Sequence, residues 1–532
     1  MDTMPVIIIF LPLLTSIVIY IFNNKKANIL AFISQFLLAA VTFLYYFKFR
    51  SMDAHKVRIG GWDQFIGITL KNDSISVSFM LLSVFIWLII IIYSWNKHKD
   101  DTRFYFFLLM QEGCFLGVLQ TNDLFNFFLF LELITIISTI LILYKKDGYS
   151  IRAGLFYMLF NTTGMLFFLI GIIFIYVVTG TLNMEVASYK LLAIKDFQLV
   201  KLAYIFMMSA VGVKSAFFPV FNWLPKAHGA APAAISALLS GLLVKSGLYG
   251  FIRLNQMFDI RDYMDFFIIV GFITAICGVI FALCQKDIKQ ILAFHTISQV
   301  GLILIGLSTM EGMQFYGGLL HIFNHAIFKT LLFLCVGSII SVYDKRRISE
   351  IRGVFKRMPY LSIFMIIGML SITGSPLFNG FVSKSIIKYS LDTHALIDIM
   401  INIINIGTAA SFIKFSQIFA GHSEAAYPDE NRNNISHLLL SAGCVIMGTF
   451  YAPIIKELWH VDVYHIKLFT FDKWLLYFIT LLLGLIIYKT VVEKDYKIIR
   501  DIRHLNISFE SSNIMLILFI SIMILWGRFV IL

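Results

Sequence analysis

Charge is what this chain is short of. Only 14% of its 532 residues are Asp, Glu, Lys or Arg, against 59% hydrophobic, and the mean hydropathy is +0.84. A water-soluble domain of this size could neither expose nor bury so much apolar surface, which excludes a soluble enzyme. Prolines number nine, so helix breaks are few and the place of each carries meaning. The five cysteines, Cys114, Cys277, Cys284, Cys335 and Cys444, fall in apolar stretches without CxxC or Cys/His spacing. Core packing is therefore expected of them, with no disulfide framework and no metal cluster. The sequence also lacks a GxGxxG after a strand, so neither a bound cofactor nor a redox centre of its own is expected. After Met1-Asp2 there is no basic n-region and no small-residue cleavage site, so the first apolar run is expected to be a retained helix.

What is abundant is the long apolar run. From Phe79 to Ile92 only Ser83 is polar, unlike the alternating strands of roughly ten residues that build transmembrane barrels. A spanning helix needs roughly 20 apolar residues. Windows of that kind lie at 5–22, 28–47, 75–95, 104–119, 123–144, 153–178, 200–223, 230–253, 264–284, 289–308, 314–342, 359–388, 396–420, 437–453, 470–490 and 513–531. The fold class expected is an all-α polytopic membrane protein, with about 14 core transmembrane helices plus about two C-terminal ones. Residues 1–103 form N-terminal helices, 104–420 a core and 421–532 the C-terminal helices.

The net charge of +12, from 43 basic and 31 acidic residues, reads as a loop bias, with no nucleic-acid partner. With the N-terminus outside, the connections carrying Lys25 and Lys26, then Lys97, Lys99 and Arg103, then Lys145, Lys146 and Arg152, then Lys286 and Lys289 all face the cytoplasm. The clusters Lys345–Arg357 and Lys489–Arg503 do so too, which places the chain in the cell (inner or plasma) membrane as a multi-pass protein. The longer loops 48–74 and 179–201 lie on the other side, and no loop holds a soluble domain.

Ionisable side chains at bilayer depth cost at least about 2.5–3.5 kcal/mol each and mark function by default. Glu132 in the fifth segment, Lys214 in the seventh, Lys245 in the eighth, Lys329 in the eleventh, Lys384 in the twelfth and Lys414 in the thirteenth are such residues. One acid among five bases suits a proton relay, because moving a neighbour changes whether each group holds its proton. The plainer reading is that they snorkel or pair to hold helices together. His321, His325 and Lys329 recur at i, i+4 and i+8 and form one stripe on a helix face. Two His at that spacing could bind a metal, but Ile322 stands where an HExxH motif needs Glu, so no metal is expected. His228 and His295 are weaker candidates, Lys414 has no assigned role, and Glu112, read as nearer a helix end, has none either. Pro219 interrupts the seventh segment, and Gly374, Pro376 and Gly380 interrupt the twelfth. Breaks at matching places in two halves point to an inverted-repeat transporter, with two five-helix repeats over segments four to eight and nine to thirteen.

These residues stand in recognisable strings: Asn122-Asp123-Leu124-Phe125 with Glu132; Lys214-Ser215-Ala216-Phe217-Phe218-Pro219; Trp223-Leu224-Pro225-Lys226-Ala227-His228; Ala231-Pro232; and Leu243-Val244-Lys245. His321 to Lys329 and Gly380-Phe381-Val382-Ser383-Lys384 continue the order. Together, over roughly residues 100–420, they resemble the antiporter-like subunits: proton-pumping membrane subunits of respiratory complex I, large subunits of Mrp-type cation/proton antiporters, and relatives in membrane-bound hydrogenases. The resemblance implies that Glu132 and Lys214 form a paired switch, that Lys245 is the central lysine, that His321, His325 and Lys329 continue the relay, and that Lys384 stands next to the outlet. A proton leaving Lys214 would pass to Lys245, then Lys329, then Lys384. The sequence departs from the family at Gln299, where His is frequent, and at Lys226, a position often acidic. Lys384 in place of Glu speaks against the one complex I subunit that carries an acid there, and the stretches Ile291–Gly301 and His321–Lys329 look closest to the Mrp and hydrogenase-type members. The two segments after residue 453 exceed the family's usual fourteen helices and do not read as a long lateral helix.

The function this implies is translocation of protons or sodium by a membrane subunit of an NADH:quinone oxidoreductase-like or hydrogenase complex, or of an Mrp-type antiporter. Its partners would be other membrane subunits, the lipid bilayer and the ion. Two alternatives stay open: a stand-alone secondary transporter, and the membrane partner of a two-component inorganic-carbon uptake system.

Overall fold

The computed structural model describes residues 3–22, 26–65, 67–389, 395–422, 434–464, 466 and 468–529; Met1, Asp2 and Lys25 lie outside them. Each apolar window falls on a helix or on a helix broken in two. Among the described residues twelve helices are long and apolar enough to cross a membrane, and the protein is a multi-pass membrane protein. Thr102–Gln120 is as long as the first of these, Met4–Phe22, but carries Gln111, Glu112 and Gln120, while Pro359–Thr373 is the short first half of a broken segment.

The scarce acids are spent at helix starts. Asp73, Asp101, Asp123, Asp147 and Asp287 each sit at an N-cap and accept from backbone N–H groups of Ser76, Phe104, Asn126, Ser150, and Lys289 with Gln290. The first four N–H groups of a helix have no partner of their own, and a carboxylate there meets both the orphan donors and the positive end of the helix dipole.

The chain divides into two compact units. The first comprises Met1–Trp223, Leu242–Tyr263 and Phe509–Leu532. Its loop 48–74 folds into an antiparallel hairpin, Ala54–Arg58 against Thr69–Asp73, with Ala54 opposite Asp73 and Arg58 opposite Thr69. The seventh segment runs as a helix over Gln198–Ser215 and stops at Ala216, whose φ is +57°. Trp223 closes the break by donating its indole N–H at 2.8 Å to the Val213 carbonyl in the last turn of the helix, which also accepts from the Ala216 N–H at 3.1 Å. The last helix, Phe509–Phe529, belongs to this unit: the Ser209 hydroxyl donates to the Met523 sulfur at 3.6 Å and the Tyr263 hydroxyl to the Met523 carbonyl at 3.2 Å.

The second unit comprises Leu224–Gly241 and Met264–Ser508. Met264–Cys284 and Ile288–Leu307 form a close antiparallel pair, followed by the 32-residue helix Gly312–Tyr343. The twelfth segment is broken as expected, into Pro359–Thr373 and Asn379–Tyr389. Gly374 ends the first half with φ +80°, a left-handed conformation that a Cβ would strain. The fourteenth segment holds a bend not foreseen, 88° between Asn434–Thr449 and Tyr451–Trp459. The eighth segment also carries an unforeseen feature: the α-helix Ala233–Leu238 passes into a π-helical turn, Leu239–Leu243, before Val244–Phe258.

Candidate functional site

In the first unit the break in the seventh segment delivers Lys214 to the face of Leu124–Ile142. Its ammonium donates to the Leu131 carbonyl at 3.3 Å and to the Thr135 hydroxyl, while the Glu132 carboxylate stands 3.9 Å away. Lys214 is 6% exposed and Glu132 19%, and Glu132 is also held by the Thr162 hydroxyl at 3.1 Å. The ammonium thus rests on neutral acceptors with its counter-ion just beyond hydrogen-bond distance. An amine that lost its proton would keep two N–H donors for the same two acceptors, so the position serves both protonation states.

Lys245 is fully buried, the second residue of Val244–Phe258 and two residues beyond the π turn. π turns leave the regular i to i−4 ladder and occur often at functional positions. Gly247 lets this helix lie against the end of the Lys214 helix. A Cβ at 247 would fall 2.9 Å from Lys214 Cβ and 2.8 Å from the Ser215 amide nitrogen. At the far end of the same helix Arg253 makes a two-pronged pair with Asp73, at 2.6 and 2.7 Å. Burial pushes the Asp73 carboxyl up, but the Arg253 charge and hydrogen bonds, with the Ser76 N–H, outweigh it and hold the carboxyl well below the usual carboxylate range.

The second unit holds the other candidates. His321 is buried and uses both ring nitrogens: Nδ1 meets the Ser383 hydroxyl at 2.8 Å and Nε2 the Gln299 carbonyl oxygen at 3.1 Å. Ser383 can also donate to the Asn379 carbonyl at 3.3 Å. Neutral His321 therefore accepts from Ser383, and cationic His321 donates to it while the hydroxyl turns to Asn379. Gln299, the departure from the family's frequent His, is a bonding partner of that ring. The His325 ring centroid lies 6.4 Å from that of His321. Lys329 donates to the Leu292 carbonyl at 2.6 Å and sits over the Phe333 ring, on which His228 stacks at 4.5 Å.

Lys384 is placed by the second break. Its ammonium donates to the Ile372 carbonyl at 2.8 Å, one of the unpaired carbonyls at the end of Pro359–Thr373, and to Asn405 Oδ1 at 3.2 Å. A cleft of about 70 Å³ opens beside it, lined among others by Thr373, Asn405, Tyr477 and Thr480, and the Thr373 and Tyr477 hydroxyls bond at 3.1 Å across it. Tyr477 and Thr480 come from the fifteenth segment, for which the sequence offered no role.

Two residues left without a role acquire places. Lys414 donates to the carbonyls of Ala282, Leu283 and Gln285 at 2.7–3.0 Å, so it caps the C-terminal end of Met264–Cys284. Glu112 lies mid-helix in Thr102–Gln120, not near its end, and is fully buried with Gln35 Nε2 donating to it at 2.8 Å. Gln35 has no sequence signal that marks it: only the packing of Ala27–Phe49 within the first unit brings it there.

Comparison with known proteins follows the same residues. The sequence profile of the NADH:quinone oxidoreductase/Mrp antiporter transmembrane family matches residues 121–413. The chain is 29% identical over 417 residues to a Na(+)/H(+) antiporter subunit of Alkalihalophilus pseudofirmus, covering 75% of this chain and 84% of that one. To the Na(+)/H(+) antiporter subunit of the same designation in Bacillus subtilis it is 32% identical over 335 residues, or 61% and 67% of the two chains. Among solved structures it resembles a chain of the membrane-bound sulfane sulfur reductase, an archaeal respiratory membrane complex, with a TM-score of 0.79, 26% identity and coverage of 86% and 96%. More than half of the sequence is matched, and the chain belongs to the NADH:quinone oxidoreductase/Mrp antiporter family of membrane subunits.

Proposed function

We propose that this protein is an ion-translocating subunit of a multisubunit membrane assembly, in which Glu132, Lys214, Lys245, His321, His325, Lys329 and Lys384 hold and pass protons. The observation that carries the reading is the setting of Lys214, held at a helix break by a hydroxyl and a carbonyl with Glu132 at 3.9 Å. Closing that gap favours the ammonium and opening it favours release, so movement of one neighbour switches the proton. Lys245 would take the released proton, and the eleventh-segment His/Lys stripe and Lys384 would carry it on to the outer side. The region 104–420 would be the translocating core, with segments four to eight and nine to thirteen as inverted repeats.

Similarity to the two Na(+)/H(+) antiporter proteins supports cation/proton exchange, with sodium as the second ion and other membrane subunits and lipid as the partners. The resemblance to a respiratory-complex chain supports a second reading, in which a redox reaction elsewhere in the assembly drives the same path. The test is ion flux by the purified assembly in vesicles, protons and sodium followed separately. Proton movement on a sodium pulse without an electron donor supports the exchanger. Movement only on addition of a donor supports the redox-driven complex, and no ion movement under either condition refutes the proposal.

A further inference from the structure

His295, on Ile288–Leu307, has no part in the path above, yet its surroundings differ from those of a packing residue. The side chain is fully buried, and neither Nδ1 nor Nε2 has a hydrogen-bond partner among the described residues. Buried polar atoms are nearly always bonded, to protein or to ordered water, and an exception needs a reason. Two more buried atoms share the condition: Ser298 Oγ, one turn along the same helix, and Ser411 Oγ, next in sequence to Phe412, whose ring lies 4.9 Å from the imidazole. Ordered water is the usual partner of buried donors and acceptors that protein leaves unbonded.

Among the described residues, the charged groups that act on His295 are the ammonium groups of Lys329, Lys414 and Lys384. Lys329 bonds to the carbonyl of Leu292, three residues before His295 on the same helix, while Lys384 is tied to the end of Pro359–Thr373. Lys414 is fixed by three carbonyls in its capping role, which leaves Lys329 and Lys384 as the neighbours that could exchange protons. An imidazole can take a proton on one nitrogen and release one from the other. His321 has both nitrogens committed to Ser383 and Gln299, whereas neither nitrogen of His295 is held by a described residue.

We propose that His295 is a further proton-carrying residue of this path, working through water between Lys329 and Lys384. The inference rests on the relay reading given above. In the transfer, Lys329 gives a proton through water to one ring nitrogen and the other nitrogen gives one through water to Lys384. One N–H bond forms and one breaks on the ring, and no net charge is left behind.

The experiment uses the full assembly with H295F, H295Q and, as a control on the path itself, K384A, with proton flux, subunit assembly and melting temperature measured for each. Phe preserves the contact with Phe412 but carries no proton, and Gln keeps hydrogen bonding but does not titrate. The expected result is flux reduced at least about tenfold in both His295 variants, as for loss of an acid–base group, with assembly and melting temperature at the parent values. If H295F fails to assemble, H295Q decides. Flux within about twofold of the parent in either assembled variant overturns the proposal and makes His295 a packing residue. If K384A also keeps its flux, the relay reading itself has failed; if K384A loses flux while the His295 variants retain it, only the role of His295 is refuted.

Discussion

Replacing Gly247 by Ala tests whether the Lys214 and Lys245 helices must touch. The added methyl would lie 2.8 Å from the Ser215 nitrogen and 2.9 Å from Lys214 Cβ, where carbon contacts settle at ~3.5–4.0 Å. The helices would have to part by roughly 0.6–1.1 Å. Overpacking of this kind costs about 1–3 kcal/mol, and the better helix propensity of Ala returns about 1 kcal/mol of it. The net loss of stability is therefore modest, on the order of 1 kcal/mol. The effect on transport should be larger, because a displacement of about 1 Å in a proton-transfer geometry costs on the order of a hundredfold, and Lys214 is already 3.9 Å from Glu132. The assay is ion flux in vesicles beside the melting temperature of the purified assembly. G148A serves as control, since nothing lies within 4 Å of a Cβ there. A drop in flux at least tenfold beyond what the small stability loss explains is expected for G247A. Parent flux and parent melting temperature in G247A would refute the close crossing and the argument built on it.

Three further outcomes follow from the same geometry. D73N should lose stability by about 1.5 kcal/mol, the low end for a charged hydrogen bond because Asp73 keeps some exposure. Since the folded carboxyl is held below its unfolded value of about 3.9, the contribution is complete above that pH and is lost as pH falls through the lower, folded value. The gap in melting temperature between parent and D73N should be constant above about pH 5 and narrow in more acidic buffer, and a gap that widens on acidification contradicts this. S383A removes the group that lets His321 bond in both protonation states; proton flux should fall about tenfold or more with assembly intact, and unchanged flux would mean that His321 does not change its proton. K414M strips the cap from three carbonyls and should lower stability by about 1–3 kcal/mol in a denaturation series, whereas a loss of flux at full stability would show Lys414 to be part of the path.

Much of this was legible because helix breaks and buried charge have strong signatures. Pro219 and the Gly374–Pro376 pair mark real breaks, and the acid–lysine pair Glu132 and Lys214 does come together. The π turn before Lys245 was not legible: Leu239–Leu243 is an ordinary apolar string, and only tertiary packing decides its hydrogen-bond ladder. The same holds for Lys414, which looks like any buried lysine until the end of Met264–Cys284 is set against it. The last helix reads as one more apolar span, and nothing local says that it packs beside Gln198–Ser215 through Ser209 and Met523. His295 is one letter among twelve histidines; what sets it apart is that no described residue bonds its ring nitrogens, which is a property of its neighbours.

The central claim, a path through buried lysines, rests most directly on Lys245. The decisive measurement is proton and sodium flux in inverted vesicles carrying the assembly with K245A beside the parent, after equal assembly of the two has been established. The account predicts that flux is lost while assembly is retained. Unchanged flux in K245A would contradict it and would leave this lysine a structural element of the membrane domain.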